Sequence, residues 1–230
     1  MYIALFLVPG AAISAQPDPD ALYRERATAG KAEAAVDLWE QQVTSNPADA
    51  DAAWKLARAT YWIGTHGPAA ARRPALERGV AAGRQAAMLA PNRPEGHFWM
   101  AANMGALAES FGMRQGLRYR GAIKDALETV LRIDPAFQQG SADRALGRWY
   151  YKVPGLFGGS KQKSEEHIRK SLAYNPDSTA SHFFLAETLF ELNRDRQARE
   201  ELQKVLAAPL NPDWEPEDLD FKEQARQRLK

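Results

Sequence analysis

The sequence contains no cysteine. Disulfide bonds, thiolate catalysis and cysteine-ligated zinc are therefore excluded. It also lacks a charge imbalance, because 30 lysine and arginine residues stand against 29 aspartates and glutamates, which gives a net charge of +1. A nucleic-acid footprint spread over the whole chain is therefore not expected, and any electrostatic recognition must be local.

Long apolar runs are also scarce. The run Tyr2–Val8 and the small residues that follow it up to Ala15 are typical of a secretory signal, although a basic start is missing. We predict a signal peptide over residues 1–15 and a periplasmic or secreted protein. The alternatives are a start codon placed late, or an ordinary buried first helix in a cytoplasmic protein. No segment approaches the roughly 20 apolar residues that cross a bilayer, so no membrane span is predicted.

Strand signals are nearly absent, since there is no long period-two alternation and no Asn-Gly hairpin. Prolines instead close successive segments at Pro47, Pro91, Pro135 and Pro176, which are 44, 44 and 41 residues apart. Within each segment, apolar residues recur at helical spacing on both sides of a turn that contains glycine, proline or asparagine. Each segment is therefore predicted to be a pair of helices.

The complete pattern predicts about five helix pairs in residues 18–212 and a C-terminal capping helix over 215–230. The approximate units are 18–47, 49–91, 95–135, 138–176 and 178–209. In the second unit we expect a longer connection between the helices, containing Gly67, Pro68 and Pro74. The last helix is polar over much of its surface, which suits a cap on the final apolar face of a stacked array.

The best-preserved unit contains Leu146-Gly147-Arg148-Trp149-Tyr150, which resembles the Leu-Gly-x-x-Tyr core of a tetratricopeptide repeat. Met104-Gly105 and Leu56-Ala57 are partial matches. Together with His97-Phe98-Trp99 and the proline-glycine turn after Val153, this unit is also similar to the T-component proteins of TRAP transport systems and, more loosely, to the regulators of microtubule dynamics. The resemblance implies an all-α, right-handed superhelical array. The period of this sequence exceeds the roughly 34 residues of the plain repeat, so the resemblance does not predict how the middle units stack.

One face of the first helices is predicted to line a concave groove for a partner or ligand. By helical spacing it carries aromatic and basic side chains, which often supply interface energy: Trp54, Arg58, Tyr61, Trp62, Trp99, Arg144, Arg148, Tyr151, Phe183 and Phe190. The alternative is that several of these aromatic residues belong to the core between helices. Arg144 and Arg148, four residues apart, are predicted to contact a carboxylate or phosphate, or else to form a structural salt bridge.

Two further sequence features have simpler interpretations. The basic group around Tyr119 suits an anionic surface, although charge runs are more often solvated faces: Arg114, Arg118, Arg120 and Lys124. Ser160 and Lys163 form an S-x-x-K string without the companion motifs of serine acyl-enzymes, and Ser160 is better explained as a helix N-cap.

The four histidines lack metal-binding spacing. We therefore predict no catalytic residue, no cofactor and no metal site.

These features favour a non-enzymatic scaffold that binds a protein or peptide partner in the groove. The alternative, implied by the resemblance to T-component proteins, is a periplasmic accessory protein that binds a small apolar or anionic ligand. A closed apolar cavity among the aromatic residues favours the ligand, whereas an open, wet trough favours the protein partner. No nucleic-acid partner is expected.

Overall fold

The computed structural model describes residues 17–230, without the side chains of Met113 and Arg114. The predicted signal peptide, residues 1–15, lies outside the described residues. Within them the chain forms eleven α-helices and no strand, which confirms the predicted all-α array. None of the helices in this part of the chain has the length and hydropathy needed to cross a membrane.

The helices follow one another in pairs, and a single helix ends the chain. In order they are α1 (Pro19–Arg24), α2 (Lys31–Ser45), α3 (Ala50–His66), α4 (Ala69–Leu89), α5 (Pro94–Ser110), α6 (Met113–Ile133), α7 (Phe137–Lys152), α8 (Lys161–Tyr174), α9 (Thr179–Glu191), α10 (Asp195–Ala207) and α11 (Glu215–Leu229). A short 3-10 turn, Gly155–Phe157, lies between α7 and α8.

The repeat-closing prolines end helices through the residue that precedes them. Asn46, Ala90, Asp134 and Asn175 each stand before a proline and have ψ angles of 83, 68, 97 and 94°. Proline excludes the helical conformation from its predecessor, so α2, α4, α6 and α8 end there. Side-chain caps begin other helices: Asp49 accepts from the Ala52 amide at 2.9 Å, and Ser160 accepts from the Lys163 amide at 3.3 Å.

The repeat period is long because two of the helices are long, and not because of the long connection predicted for the second unit. The expected connection through Gly67, Pro68 and Pro74 is wrong, because α3 ends at His66, α4 begins at Ala69 and Pro74 lies inside α4. Both α4 and α6 contain 21 residues, whereas α8 and α10 contain 14 and 13. The alanine-rich sequence of α4 favours a helix strongly enough to include the proline in its second turn. The additional residues therefore form about two extra helical turns.

Close helix contacts explain the Leu-Gly motif. A side chain on Gly147 would place its Cβ 2.4 Å from Cγ1 of Ile168 on α8, so only glycine permits this approach of α7 and α8. Along the concave side, by contrast, α5 packs closely on α3 but only sparsely on α7. The array therefore has a gap between α5 and α7, in the middle of the surface formed by the first helices.

Candidate ligand cavity

The chain following α10 folds back over this concave surface. Its Trp214 ring lies 6.4 Å from Trp99 of α5, centroid to centroid and nearly parallel. Asp218 accepts a hydrogen bond from Thr179 of α9, and Asp220 lies 3.1 Å from His66 Nε2 of α3. The predicted capping helix does pack on α9 and α10, but its first turns also cover the concave side of the array.

A buried ion pair fixes this cover to the first unit. Arg26, only 4% exposed, donates from Nε to Oε1 of Glu217 at 3.1 Å and from Nη2 to Oε2 at 2.5 Å. It also donates to the carbonyl oxygen of Asp213 at 2.8 Å. The first and last parts of the array are therefore joined across the concave surface.

Beneath the cover lies a cavity of about 970 Å³ between α5, α6, α7 and α9. Its volume is at the upper end of the range that ligand pockets usually have. Large apolar and aromatic side chains form much of its wall: Phe98, Trp99, Leu127, Trp149, Phe184, Trp214 and Phe221. Such a wall favours the apolar part of a guest molecule.

Arg144 lines this cavity and has no ionic partner in the part of the chain that the structure describes. Among the described residues it takes part in no salt bridge and no side-chain hydrogen bond, although Tyr61 and Asp218 are close enough to influence it electrostatically. Burial lowers the pKa of Arg144 below its ordinary value. Arg144 is only partly buried, and an arginine stays protonated even so. A partly desolvated charge without an ionic partner still costs free energy. An anion bound in the cavity would offset that cost.

Arg148, one turn further along α7, has a different environment. Its Nε and Nη2 each lie 3.0 Å from a carboxylate oxygen of Glu109, and its Nη1 bonds to Glu187. Burial acts to raise the pKa of Glu109, but Arg148 and Lys152 outweigh it and hold that pKa below its ordinary value of 4.5. Arg148 is therefore part of a salt-bridge network that links α5, α7 and α9, whereas Arg144 and, on α6, Arg120 line the cavity without an ionic partner among the described residues.

Two residues that line the cavity also bury a polar atom that has no partner among the described residues: Trp99 buries its Nε1, a donor, and Gln138 its Oε1, an acceptor. Gln138 belongs to a left-handed turn at the start of α7, in which Gln138, Gln139 and Gly140 have φ angles of 45, 58 and 77°. Such angles are strained for residues other than glycine and occur often at functional sites. Gly140 is the one sequence signal for this turn, which we did not predict.

Four of the ten predicted groove residues line the cavity: Tyr61, Trp99, Arg144 and Arg148. The others lie elsewhere. Arg58 sits 4.1 Å above the Tyr23 ring and pairs with Asp20, while Trp54 donates to Asp51.

Trp62 stacks on His66 at 3.6 Å between ring centroids. Phe183 is buried against Phe221 of α11, Phe190 packs on the second apolar core around Leu185, and Tyr151 contacts Lys161. The cavity also uses residues that the sequence did not mark, because Trp214 and Phe221 follow the last repeat and reach the concave side only through the fold-back.

No group of three or more histidine, aspartate or glutamate side chains in the described part of the chain is arranged to hold a metal ion. Ser160 caps α8, as the sequence predicts. Among the described residues, this concave side offers a ligand a largely apolar wall and two guanidinium groups without an ionic partner, those of Arg120 and Arg144.

Two family models each match more than half of the chain: regulator of microtubule dynamics protein 1-3 over residues 18–157, and TRAP transporter T-component over residues 94–227. No curated protein matches in sequence. Among solved structures, a thermophilic TPR protein of Thermus thermophilus aligns with a TM-score of 0.68 and 21% identity over 92% of this chain and 99% of that one. A MamA structure from Desulfovibrio magneticus RS-1 aligns with a TM-score of 0.55 and 18% identity over 84% and 96%.

The two solved structures show the fold, which is that of tetratricopeptide repeat proteins. The two family models overlap in residues 94–157, where α5, α6 and α7 surround the cavity. The chain has a tetratricopeptide repeat fold, and it belongs to the families that the two models describe, regulator of microtubule dynamics protein 1-3 and TRAP transporter T-component.

Proposed function

We propose that the protein is a non-enzymatic binding protein whose cavity holds one molecule with an apolar body and a single anionic group. The observation that carries this proposal is Arg144, a guanidinium without an ionic partner among the described residues, in a cavity walled largely by aromatic and aliphatic side chains. The apolar wall supplies most of the affinity by removing the guest from water. Arg144 supplies orientation and selects for a carboxylate or phosphate.

The cavity is partly covered and partly open, and its largely apolar wall supports a role as a ligand-binding accessory protein of a transport system. The T-component match, which includes α5, α7 and α9, adds to that support. In this reading the protein receives or presents an apolar anion for a transport system, and residues 1–15 direct it to the periplasm. N-terminal sequencing of the protein recovered from a periplasmic fraction tests the location: a mature start near residue 16 is expected, and an intact Met1 in the cytoplasm contradicts it.

A protein or peptide partner is the second candidate, and one observation favours it. The concave surface already accommodates a polypeptide, the chain's own segment from Pro209 to Trp214. Repeat proteins of this class commonly use that surface for recognition. A partner chain with an exposed carboxylate would then place it near Arg144, and would have to share the surface with α11 or displace it.

Isothermal titration with dodecanoate and dodecanol tests the leading proposal, because the two probes share the apolar chain and differ in charge. Dodecanoate is expected to bind one to one, and Arg144→Met to weaken it by about tenfold or more, as for a lost charge-assisted hydrogen bond. Arg84→Met is the control, since Arg84 is exposed on α4 and forms no salt bridge with any described residue. Equal binding of both probes, or unchanged binding by Arg144→Met, would contradict the proposal.

A further inference from the structure

The loop between α7 and α8 holds an apolar side chain out in the solvent. Leu156 is 90% exposed and Phe157 is 37% exposed. The loop is nevertheless well ordered by hydrogen bonds, since the Phe157 and Gly159 amides donate to the Pro154 carbonyl at 2.8 and 3.2 Å. A Cβ on Gly159 would lie 1.7 Å from the Val153 carbonyl oxygen, so the tight turn requires glycine there. The fold thus presents Leu156 outward in a fixed position.

Every charged residue in the two stretches of sequence around this loop is basic. Residues 111–124 and 144–164 contain no aspartate or glutamate, although the chain as a whole has a net charge of only +1. They contain nine cations: Arg114, Arg118, Arg120, Lys124, Arg144, Arg148, Lys152, Lys161 and Lys163. The structure joins the two stretches, because Trp149 Nε1 donates to the Arg120 carbonyl at 2.9 Å.

Several of these cations are available to an outside partner. The Arg120 guanidinium lies 5.5 Å from the centre of the Phe157 ring. Arg118, Arg120 and Lys163 are exposed and form no salt bridge with any described residue. Lys124, Lys152 and Arg148 are instead paired with Glu128, Glu109 and Glu187. The exposed apolar loop is therefore accompanied by free positive charge.

The loop also adjoins the cavity. Lys152, Val153 and Pro154, which lead into it, line the cavity wall, as do Leu117 and Arg120 of α6. The exposed Leu156 thus stands beside the part of the cavity that lies between α6 and the end of α7.

We propose that this loop docks the protein onto an anionic phospholipid bilayer. Leu156 and Phe157 enter the headgroup region, while Arg118, Arg120 and Lys163 meet lipid phosphates. A stable protein interface typically needs about 800 Å² of buried surface on each partner around an apolar centre, more than two apolar side chains supply. Shallow insertion combined with basic residues suits a charged lipid surface. The adjoining cavity wall then faces the membrane.

Co-sedimentation of the full chain with vesicles tests this proposal without reference to the cavity's ligand. Vesicles of phosphatidylcholine alone are compared with vesicles that also contain phosphatidylglycerol. Binding is expected on the anionic vesicles and is expected to weaken as salt is raised. All proteins compared carry residues 2–8, so lipid binding by that apolar run is common to every sample.

Leu156→Asp is expected to reduce vesicle binding by about tenfold, because it replaces the inserted apolar side chain by a negative charge. The double change Arg118→Glu with Arg120→Glu is expected to reduce it by a similar factor, since each Lys or Arg at a charged surface contributes severalfold. The matched controls are Met88→Asp and Arg84→Glu. Both residues lie on α4, and the Met88 side chain is 70% exposed. Both should bind as the parent does. Circular dichroism establishes that each variant is folded.

Two results would overturn the docking proposal. One is unchanged binding to anionic vesicles by Leu156→Asp in a folded protein. The other is self-association of the parent chain without vesicles that Leu156→Asp abolishes, which would assign the loop to an interface between copies of the chain.

Discussion

Arg26 and Glu217 are 191 residues apart in sequence and form a two-point ion pair, with donor–acceptor distances of 3.1 and 2.5 Å. The pair joins the chain just after α1 to the first turn of α11. It therefore holds the C-terminal segment over the concave surface and turns part of an open array into a covered cavity.

Glu217→Gln is expected to lower the free energy of unfolding by about 2–3 kcal/mol, because it removes the carboxylate that is paired with the buried Arg26 guanidinium. Urea unfolding followed by circular dichroism measures this loss. Glu215→Gln is the control, since Glu215 is exposed at the start of the same helix and has no ionic partner among the described residues. Similar losses in the two variants would mean that the ion pair does not hold the cover in place.

Arg144 and Arg148 should respond oppositely to the same substitution. Arg144→Met is expected to raise the free energy of unfolding by up to about 1 kcal/mol, because it removes a partly buried charge that has no ionic partner among the described residues. Arg148→Met is expected to lower it by about 3 kcal/mol, because it leaves Glu109 and Glu187 partly buried without their main counter-charge. Denaturant titration of both ligand-free variants makes the comparison. A large loss for Arg144→Met would assign that residue a structural role.

Gly147→Ala is expected to destabilise the protein by about 2 kcal/mol or more, because the new methyl group overpacks the contact with Ile168. Gly121→Ala provides the matched control in helix α6. It has no atom within 4 Å of the added Cβ and should be stabilised by about 0.5–1 kcal/mol through helix propensity. Thermal unfolding distinguishes the two, and equal shifts in Tm would show that α7 and α8 do not approach so closely.

Glu109 makes the stability of the cavity wall depend on pH. Burial favours its neutral form, but Arg148 and Lys152 prevail and lower its pKa from the ordinary 4.5. A lowered carboxyl pKa contributes stability above the pKa of the unfolded chain, and that contribution disappears as pH falls through the folded pKa. Between roughly pH 5 and pH 3, the wild type should lose stability more steeply than Glu109→Gln. Parallel stability curves from urea unfolding would contradict this.

The architecture was predictable because its determinants are local. The prolines at positions 47, 91, 135 and 176 each exclude the helical conformation from the residue before them, and this effect depends on no distant part of the chain. The error at Pro74 arose where two local signals compete, since the surrounding alanines favour the helix that the proline opposes. Local rules alone do not say whether the helix propensity of the alanines outweighs the helix-breaking effect of Pro74.

The candidate site was predictable only in part. Of the ten residues that helical spacing assigns to the groove, Tyr61, Trp99, Arg144 and Arg148 line the cavity, and their contact with a partner or ligand stays a prediction. Whether an arginine has a partner depends on residues one repeat away: Glu109 and Glu187 each lie 39 residues from Arg148. The fold-back of Trp214 depends on contacts that span most of the chain, and no local pattern marks them.

The most direct test of the binding account is the set of indole N–H signals in a ¹H–¹⁵N NMR spectrum as dodecanoate is added. The chain has six tryptophans, and single replacements by phenylalanine assign their signals. The account predicts that Trp99 and Trp214, which line the cavity, shift on saturation while Trp39 and Trp54, outside it, do not. It also predicts that Arg144→Met needs about tenfold more dodecanoate to reach the same shifts. Shifts confined to Trp54, or an unchanged dodecanoate dependence of the Trp99 and Trp214 shifts in Arg144→Met, would contradict it.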